Sequence, residues 1–117
     1  MQREPRAHLW DICHAADAVA DFTRGTSIED YKRNPLLRSA VERQLTILGE
    51  ALAQLSKLLP DLAERIPESS SVIAFRNLLI HGYAAVVDEF VWGTIQEDLP
   101  ALRARVARLL EDLDVSS

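Results

Sequence analysis

The stretch "PLLRSAVERQLTILGEALAQLSKLLP", residues 35 to 60, decides the fold. Its large apolar residues recur in steps of three and four, which places them on one face of a helix. Asn34 and Pro35 have the residue types of an N-cap and a first-turn proline, and Pro60 marks the end. The residues on the shared face are Leu37, Val41, Leu45, Leu48, Leu52, Leu55 and Leu59. The spacing predicts one long helix with a buried face, around which other helices must pack.

Segments on both sides of this helix repeat the same pattern. After Pro5, a first helix is predicted to end near Gly25; its apolar positions are Leu9, Ile12, Cys13, Ala16, Val19 and Ala20. Near the C-terminus, Pro100 is placed to begin or kink a last helix, whose apolar positions are Ile95, Leu99, Leu102, Val106, Leu109 and Leu113.

Between these helices, a further one is predicted over roughly residues 72–81. Gly82 is placed to stop it, and one of the three serines at 69–71 is expected to cap its start. Asp88 and Glu89 resemble the first turn of the next helix. No alternating β-type run or hairpin turn occurs in the sequence. The fold class predicted is all-α, an antiparallel bundle of four or five helices forming a single domain over residues 1–117.

Composition excludes several classes of protein. Hydrophobic residues make up 48% and charged residues 26%, as expected of a chain that folds. The net charge is -5 without a basic run, so a broad basic face for nucleic acid is excluded and any RNA contact must be local or transient. The lone Cys13 lies on an apolar helix face and is expected in the core. Neither a signal peptide nor a membrane span is apparent, so a cytoplasmic location without membrane contact is expected.

The stretch "RNLLIHGYAAV", residues 76 to 86, carries the polar groups that a buried helix does not need. Asn77 and His81 are four residues apart and project from one wedge, with Arg76 at its margin. Ile73 and Ile80 form an apolar flank that one small domain rarely covers. We therefore expect this flank to face a second subunit, making a homodimer with the polar wedge near its seam.

These side chains suit chemistry on a phosphodiester. The imidazole of His81 can take a proton from a ribose 2′-hydroxyl or give one to the leaving 5′-oxygen, and the guanidinium of Arg76 can stabilise charge on phosphoryl oxygens. Asn77 could orient the scissile phosphate. Metal chemistry is not indicated, because His8 and His14 are six residues apart and no zinc-ligand spacing occurs. No metal and no cofactor are therefore expected.

Single residues in this set also have plainer interpretations. A histidine at a helix end can serve as a C-terminal cap, an arginine near a seam can serve in a salt bridge, and Tyr83 can be an amphipathic residue at a wet interface. Glu50 either pairs with Arg76 or is an ordinary surface residue.

The segment from Arg76 to Tyr83 resembles the arginine, four residues, histidine, one residue, tyrosine motif of HepT-like proteins. These are the HEPN half of the HEPN/MNT toxin-antitoxin modules. "AVERQLTILGEAL" at 40–52 and "FVWGTIQEDLPALRARV" at 90–106 are similar to further family segments, so the resemblance covers roughly residues 7 to 110. This chain departs from the family in having Ala74 where a glycine is usual and the serine run where a tryptophan is usual.

The resemblance implies a homodimeric, metal-independent endoribonuclease toxin that contacts its RNA substrate transiently. It implies Arg76, Asn77 and His81 as site residues. It also implies a partner, an MNT nucleotidyltransferase antitoxin that neutralises the toxin by binding and by transferring AMP to a tyrosine matching Tyr83. Such an anionic adduct would occupy the phosphate site beside Arg76 and His81.

Two other functions remain open from the sequence. A dimeric adaptor that binds a nucleotidyltransferase and is modified by it, without cutting RNA, would fit the negative net charge. A purely structural dimer is disfavoured, because Arg, Asn and His in a seam are costly unless used or fully paired. Trp10 and Trp92 are expected in the core or the seam. Arg103, Arg105 and Arg108 are expected to form a solvated face with Glu111 and Asp112.

Overall fold

The computed structural model describes residues 4–81 and 87–116, and within these ranges it is helical without strands. The helices are α1 (Pro5–Thr23), α2 (Ile28–Arg33), α3 (Pro35–Leu58), α4 (Leu62–Arg65), α5 (Ser69–Ile80), α6 (Val87–Gly93) and α7 (Leu99–Ser116), with a π turn at Thr94–Asp98. The all-α prediction is confirmed. The helix predicted at residues 72–81 begins three residues earlier.

The long helix α3 lies at the centre of the bundle, as its apolar face predicts. It packs against both α1 and α5, and α7 packs against α1. Five of its seven predicted stripe residues are buried, and the two at its ends are partly buried: Val41, Leu45, Leu48, Leu52 and Leu55, then Leu37 and Leu59. Cys13 is buried in the same core.

Local signals set the helix ends as the sequence predicts. Gly25 has a φ of 73°, a left-handed conformation that glycine adopts without strain, and it follows the end of α1. The Asn34 side chain accepts a hydrogen bond from the Leu37 N–H at 3.1 Å, which caps α3. Leu59 follows as the C-cap, immediately before Pro60.

The expectation that a serine caps α5 is wrong. Ser69 is the first residue of the helix and is buried, and the preceding Glu68 is the N-cap, without a side-chain capping bond. The backbone of Glu68 is already in the right-handed helical region, so the turn before α5 continues into it. The Glu68 carboxylate instead accepts a hydrogen bond from Arg105 on α7 at 2.8 Å.

Pro100 lies in the first turn of α7, as predicted, and the π turn directly precedes it. Proline has no N–H to donate to the preceding turn, so the helix here cannot keep its regular hydrogen bonds. The irregular turn allows α6 and α7 to follow each other as one nearly continuous helical run.

Two further expectations are met only in part. Trp10 is not in the core, because 54% of its surface is exposed and its ring stacks on His14 with centroids 3.6 Å apart; a place in a dimer seam stays a prediction. Trp92 is partly buried against Tyr31, whose hydroxyl is buried. The arginines of α7 pair across helices and not only along a solvated face, since Arg103 bonds Asp17 on α1.

Helix α5 is buried on one side only. Val72 and Phe75 are buried, whereas Ile80 is 59% exposed. Within one chain the predicted apolar flank is therefore only partly covered, since Ile73 is half-buried and Ile80 is exposed. Among the described residues, no helix is both long enough and apolar enough to cross a bilayer.

Candidate active site

A close approach of α3 and α5 positions Arg76. A Cβ on Gly49 of α3 would lie 2.6 Å from Cβ of Arg76, closer than real Cβ atoms come to other atoms, and 3.1 Å from its Cγ. Only glycine therefore fits at this crossing. Since glycine inside a helix costs about 0.5–1 kcal/mol relative to alanine, its place in the middle of α3 is explained by packing.

The guanidinium of Arg76 is held from two directions. Its Nη1 donates to Oε2 of Glu50 on α3, and its Nη2 donates to Oδ1 of Asn77 at 2.8 Å. Only 19% of the Arg76 side chain is exposed, and its Nε is buried without a hydrogen-bond partner among the described residues. Each terminal nitrogen carries a second N–H. The fork is therefore fixed in place while keeping two donors for an anion.

Glu50 is the anchor of this arrangement, and its pairing with Arg76 confirms one of the two sequence interpretations. A hydrogen bond from Gln54 Nε2 at 3.1 Å and the adjacent Arg76 guanidinium lower the pKa of the Glu50 carboxyl, as does the charge of Lys57. About half of the side chain is exposed, so the pair lies at the surface and solvent screens it.

Asn77 and His81 are both exposed on the outer face of α5. His81 is the C-cap residue of this helix, and its backbone N–H donates to the Asn77 carbonyl at 3.1 Å. The helix thus presents the imidazole one turn beyond the amide that contacts Arg76. The predicted helix stop Gly82 and the predicted modification residue Tyr83 lie outside the described residues.

Large apolar side chains are exposed on α5 itself and on α6. Leu78 and Ile80 of α5 are 39% and 59% exposed, and Phe90 of α6 is 56% exposed while it stacks on the buried Phe75 with centroids 5.9 Å apart. If these side chains form one contiguous patch, it would suit an interaction surface.

The chemistry of these side chains suits anion binding and proton transfer. Arg76 offers charge and a fixed pair of donor nitrogens, and His81 offers an imidazole, a group that can accept or donate a proton. Sequence reasoning found four of the contributing residues but missed Gly49. A lone glycine in a long amphipathic helix was the available signal, but which partner approaches it depends on how α3 and α5 pack.

The fold and site together define a class: a helical bundle that presents an arginine and a histidine five residues apart at the end of one helix. The family model "Ribonuclease HepT-like" matches residues 12–109. The chain belongs to this family.

Curated relatives agree with this assignment. The chain is 34% identical over 112 residues to "Probable ribonuclease HepT" of Thermococcus cleftensis, covering 93% of this chain and 98% of the relative. It is 31% identical over 107 residues to "Putative RNase MJ1380" of Methanocaldococcus jannaschii, covering 90% and 95%. No solved structure matches the chain significantly.

Proposed function

We propose that this protein is a metal-independent endoribonuclease that acts as the toxin of a HEPN/MNT toxin-antitoxin pair, with residues 1–117 forming one catalytic domain. The proposal rests on the Arg76 guanidinium, which Glu50 and Asn77 fix in place while a second N–H remains on each terminal nitrogen, five residues before His81. The names of the relatives support RNA as the substrate class.

In the proposed reaction the ribose 2′-oxygen attacks the neighbouring phosphorus and the bond from phosphorus to the 5′-oxygen breaks. His81 takes the proton from the 2′-hydroxyl or supplies one to the departing 5′-oxygen. Arg76 donates to the phosphoryl oxygens, whose charge rises in the transition state, and Asn77 orients the phosphate. The products are a 2′,3′-cyclic phosphate and a free 5′-hydroxyl. DNA, which lacks the 2′-hydroxyl, would not be cut.

One imidazole cannot be acid and base in the same step, so a homodimer is part of the proposal. A second copy would bring another His81 to the scissile phosphate. The exposed Ile80 and Leu78 beside the site offer an apolar surface for that contact.

The proposed partner is an MNT nucleotidyltransferase antitoxin that binds the toxin and transfers AMP to Tyr83. The adduct would add negative charge two residues from His81 and compete with RNA for Arg76. Co-expression with such an enzyme, followed by intact-mass measurement, should show added AMP that is absent in Tyr83→Phe. Additions that persist in Tyr83→Phe would place the modification elsewhere.

Expression in bacteria tests the toxin function. Wild-type protein should arrest growth and His81→Ala should not, because it lacks the proton-transfer group. A His81→Ala variant as toxic as wild type, at equal soluble expression, would contradict the role of this residue.

The net charge of -5 favours one alternative, a dimeric adaptor that binds and is modified by a nucleotidyltransferase without cutting RNA. This alternative predicts AMP addition to Tyr83 together with an absence of RNA cleavage by the unmodified protein.

A further inference from the structure

The outward face of α3 carries charges at regular seven-residue intervals. Arg43, Glu50 and Lys57 follow one another at this spacing, so they lie on nearly the same side of the helix, each about 10 Å from the next. All three are exposed. This face points away from the buried stripe and towards solvent.

Arg76 adjoins the middle of this row because it pairs with Glu50. The acidic charge at the centre is therefore compensated by the residue that we propose binds the scissile phosphate. Arg43 and Lys57 are then the next cations along α3 in the two directions from the site. The charge of Lys57 reaches Glu50, since it contributes to lowering the pKa of that carboxyl.

In the part of the chain that the structure describes, the two flanking cations, Arg43 and Lys57, lack the carboxylate partner that most other arginines and lysines have. Arg24, Arg38, Arg103 and Arg105 each lie within salt-bridge distance of a carboxylate. Within residues 4–81 and 87–116, Arg43 and Lys57 have no such partner. Their charge is therefore not neutralised by a paired carboxylate and is available to an external anion.

Arg43 also borders an open groove beside the site. The groove has a volume of about 410 Å³; α3 contributes Arg43, Thr46, Ile47, Glu50, Ala51 and Gln54, and α1 contributes His8 and Asp11. It leads along the helix from Glu50 to Arg43. Arg76 does not line the groove but adjoins it through Glu50, so a chain bound at Arg76 would enter the groove past Glu50, with a second carboxylate, Asp11, on the opposite wall.

We propose that Arg43 and Lys57 bind the phosphates on either side of the scissile one and hold single-stranded RNA along the outer face of α3. The inference rests on the proposed function and explains how a chain of net charge -5 can engage RNA. Two unpaired cations spaced along the row supply local attraction without a broad basic surface.

We call Arg43 and Lys57 the RNA track. Equilibrium binding of a short single-stranded RNA with 2′-O-methyl groups tests it, because blocking the 2′-oxygen prevents cleavage. Arg43→Ala and Lys57→Ala should each raise Kd about fivefold at low salt. Each should also reduce the slope of log K against log salt by about 0.7, the value expected for one lost phosphate contact on a single strand. Matched controls are Arg33→Ala on α2 and Arg108→Ala on α7, which are likewise exposed and without a salt-bridge partner in the described ranges. Their Kd should remain near the wild-type value.

A minimal dinucleotide substrate separates the track from the catalytic site. It reaches Arg76 and His81 but not the flanking cations, so both track variants should cleave it at the wild-type rate. Equal weakening of RNA binding in all four variants, no weakening in any, or no binding by wild type would overturn the track. Wild-type protein that binds through Arg43 and Lys57 but cuts neither RNA nor dinucleotide would keep the track and refute the nuclease function.

Discussion

The two hydrogen bonds that hold Arg76 make Glu50 the residue on which its geometry depends. Replacing Glu50 by Gln keeps the shape but removes the charge that fixes the guanidinium. We expect kcat for RNA cleavage to fall about tenfold, equivalent to about 1.4 kcal/mol of transition-state stabilisation. Steady-state kinetics would measure this, with Gln54→Ala as the control that removes only the neighbouring amide. An unchanged kcat in Glu50→Gln would show that the charge of Glu50 is not needed to position Arg76.

The same pair gives a prediction about pH. The pKa of Glu50 is lower in the folded protein than in the unfolded chain, so the folded state is stabilised above the ordinary carboxyl pKa and loses this stabilisation as pH falls through the lowered value. Because Glu50 is half-exposed, the gain should be at most about 1 kcal/mol. Urea unfolding should therefore find wild type slightly more stable than Glu50→Gln at neutral pH. The difference should vanish in strong acid; one that grows on acidification would contradict the lowered pKa.

At the scale of elements, the contact between α3 and α5 depends on Gly49. Gly49→Ala should destabilise the protein by about 1–3 kcal/mol, because the added methyl overlaps Arg76 and the two helices must move apart. Gly93→Ala is a matched control: Gly93 is also helical, but nothing lies within 4 Å of a Cβ at that position. There alanine should be neutral or stabilise by up to about 1 kcal/mol. Denaturant unfolding measures the stability of both variants. Equal free energies of unfolding for Gly49→Ala and Gly93→Ala would contradict the close approach of α3 and α5.

Helix positions could be predicted from sequence because periodicity and caps are local signals. The stripe of α3 and the cap at Asn34 were predicted, as was the possible pairing of Arg76 with Glu50. The predictions that were not met concern residues whose surroundings are set by neighbouring elements. The serine cap is absent because the turn before α5 is already helical, and Trp10 lies outside the core because its side of α1 faces solvent.

At the scale of the whole molecule, one chain leaves apolar side chains beside its site exposed. If they form the proposed dimer seam, Ile80→Asp should convert the dimer to monomer and abolish cleavage, since a buried unpaired carboxylate is costly. Phe22→Asp is the control, because Phe22 is 42% exposed on α1. Light scattering coupled to size exclusion measures the mass. If Phe22→Asp is monomeric while Ile80→Asp remains dimeric, the dimer interface does not include Ile80.

Membership of the HepT-like family gives the whole-molecule context, but the activity that we propose rests on a few side chains at one end of α5. The most direct test of the central claim is cleavage of single-stranded and tRNA-like substrates by purified protein in EDTA. Wild type, Arg76→Ala and His81→Ala should be purified identically and compared. We expect cutting by wild type alone, with 2′,3′-cyclic phosphate ends. No cutting by unmodified wild type, or equal cutting by all three proteins, would contradict it.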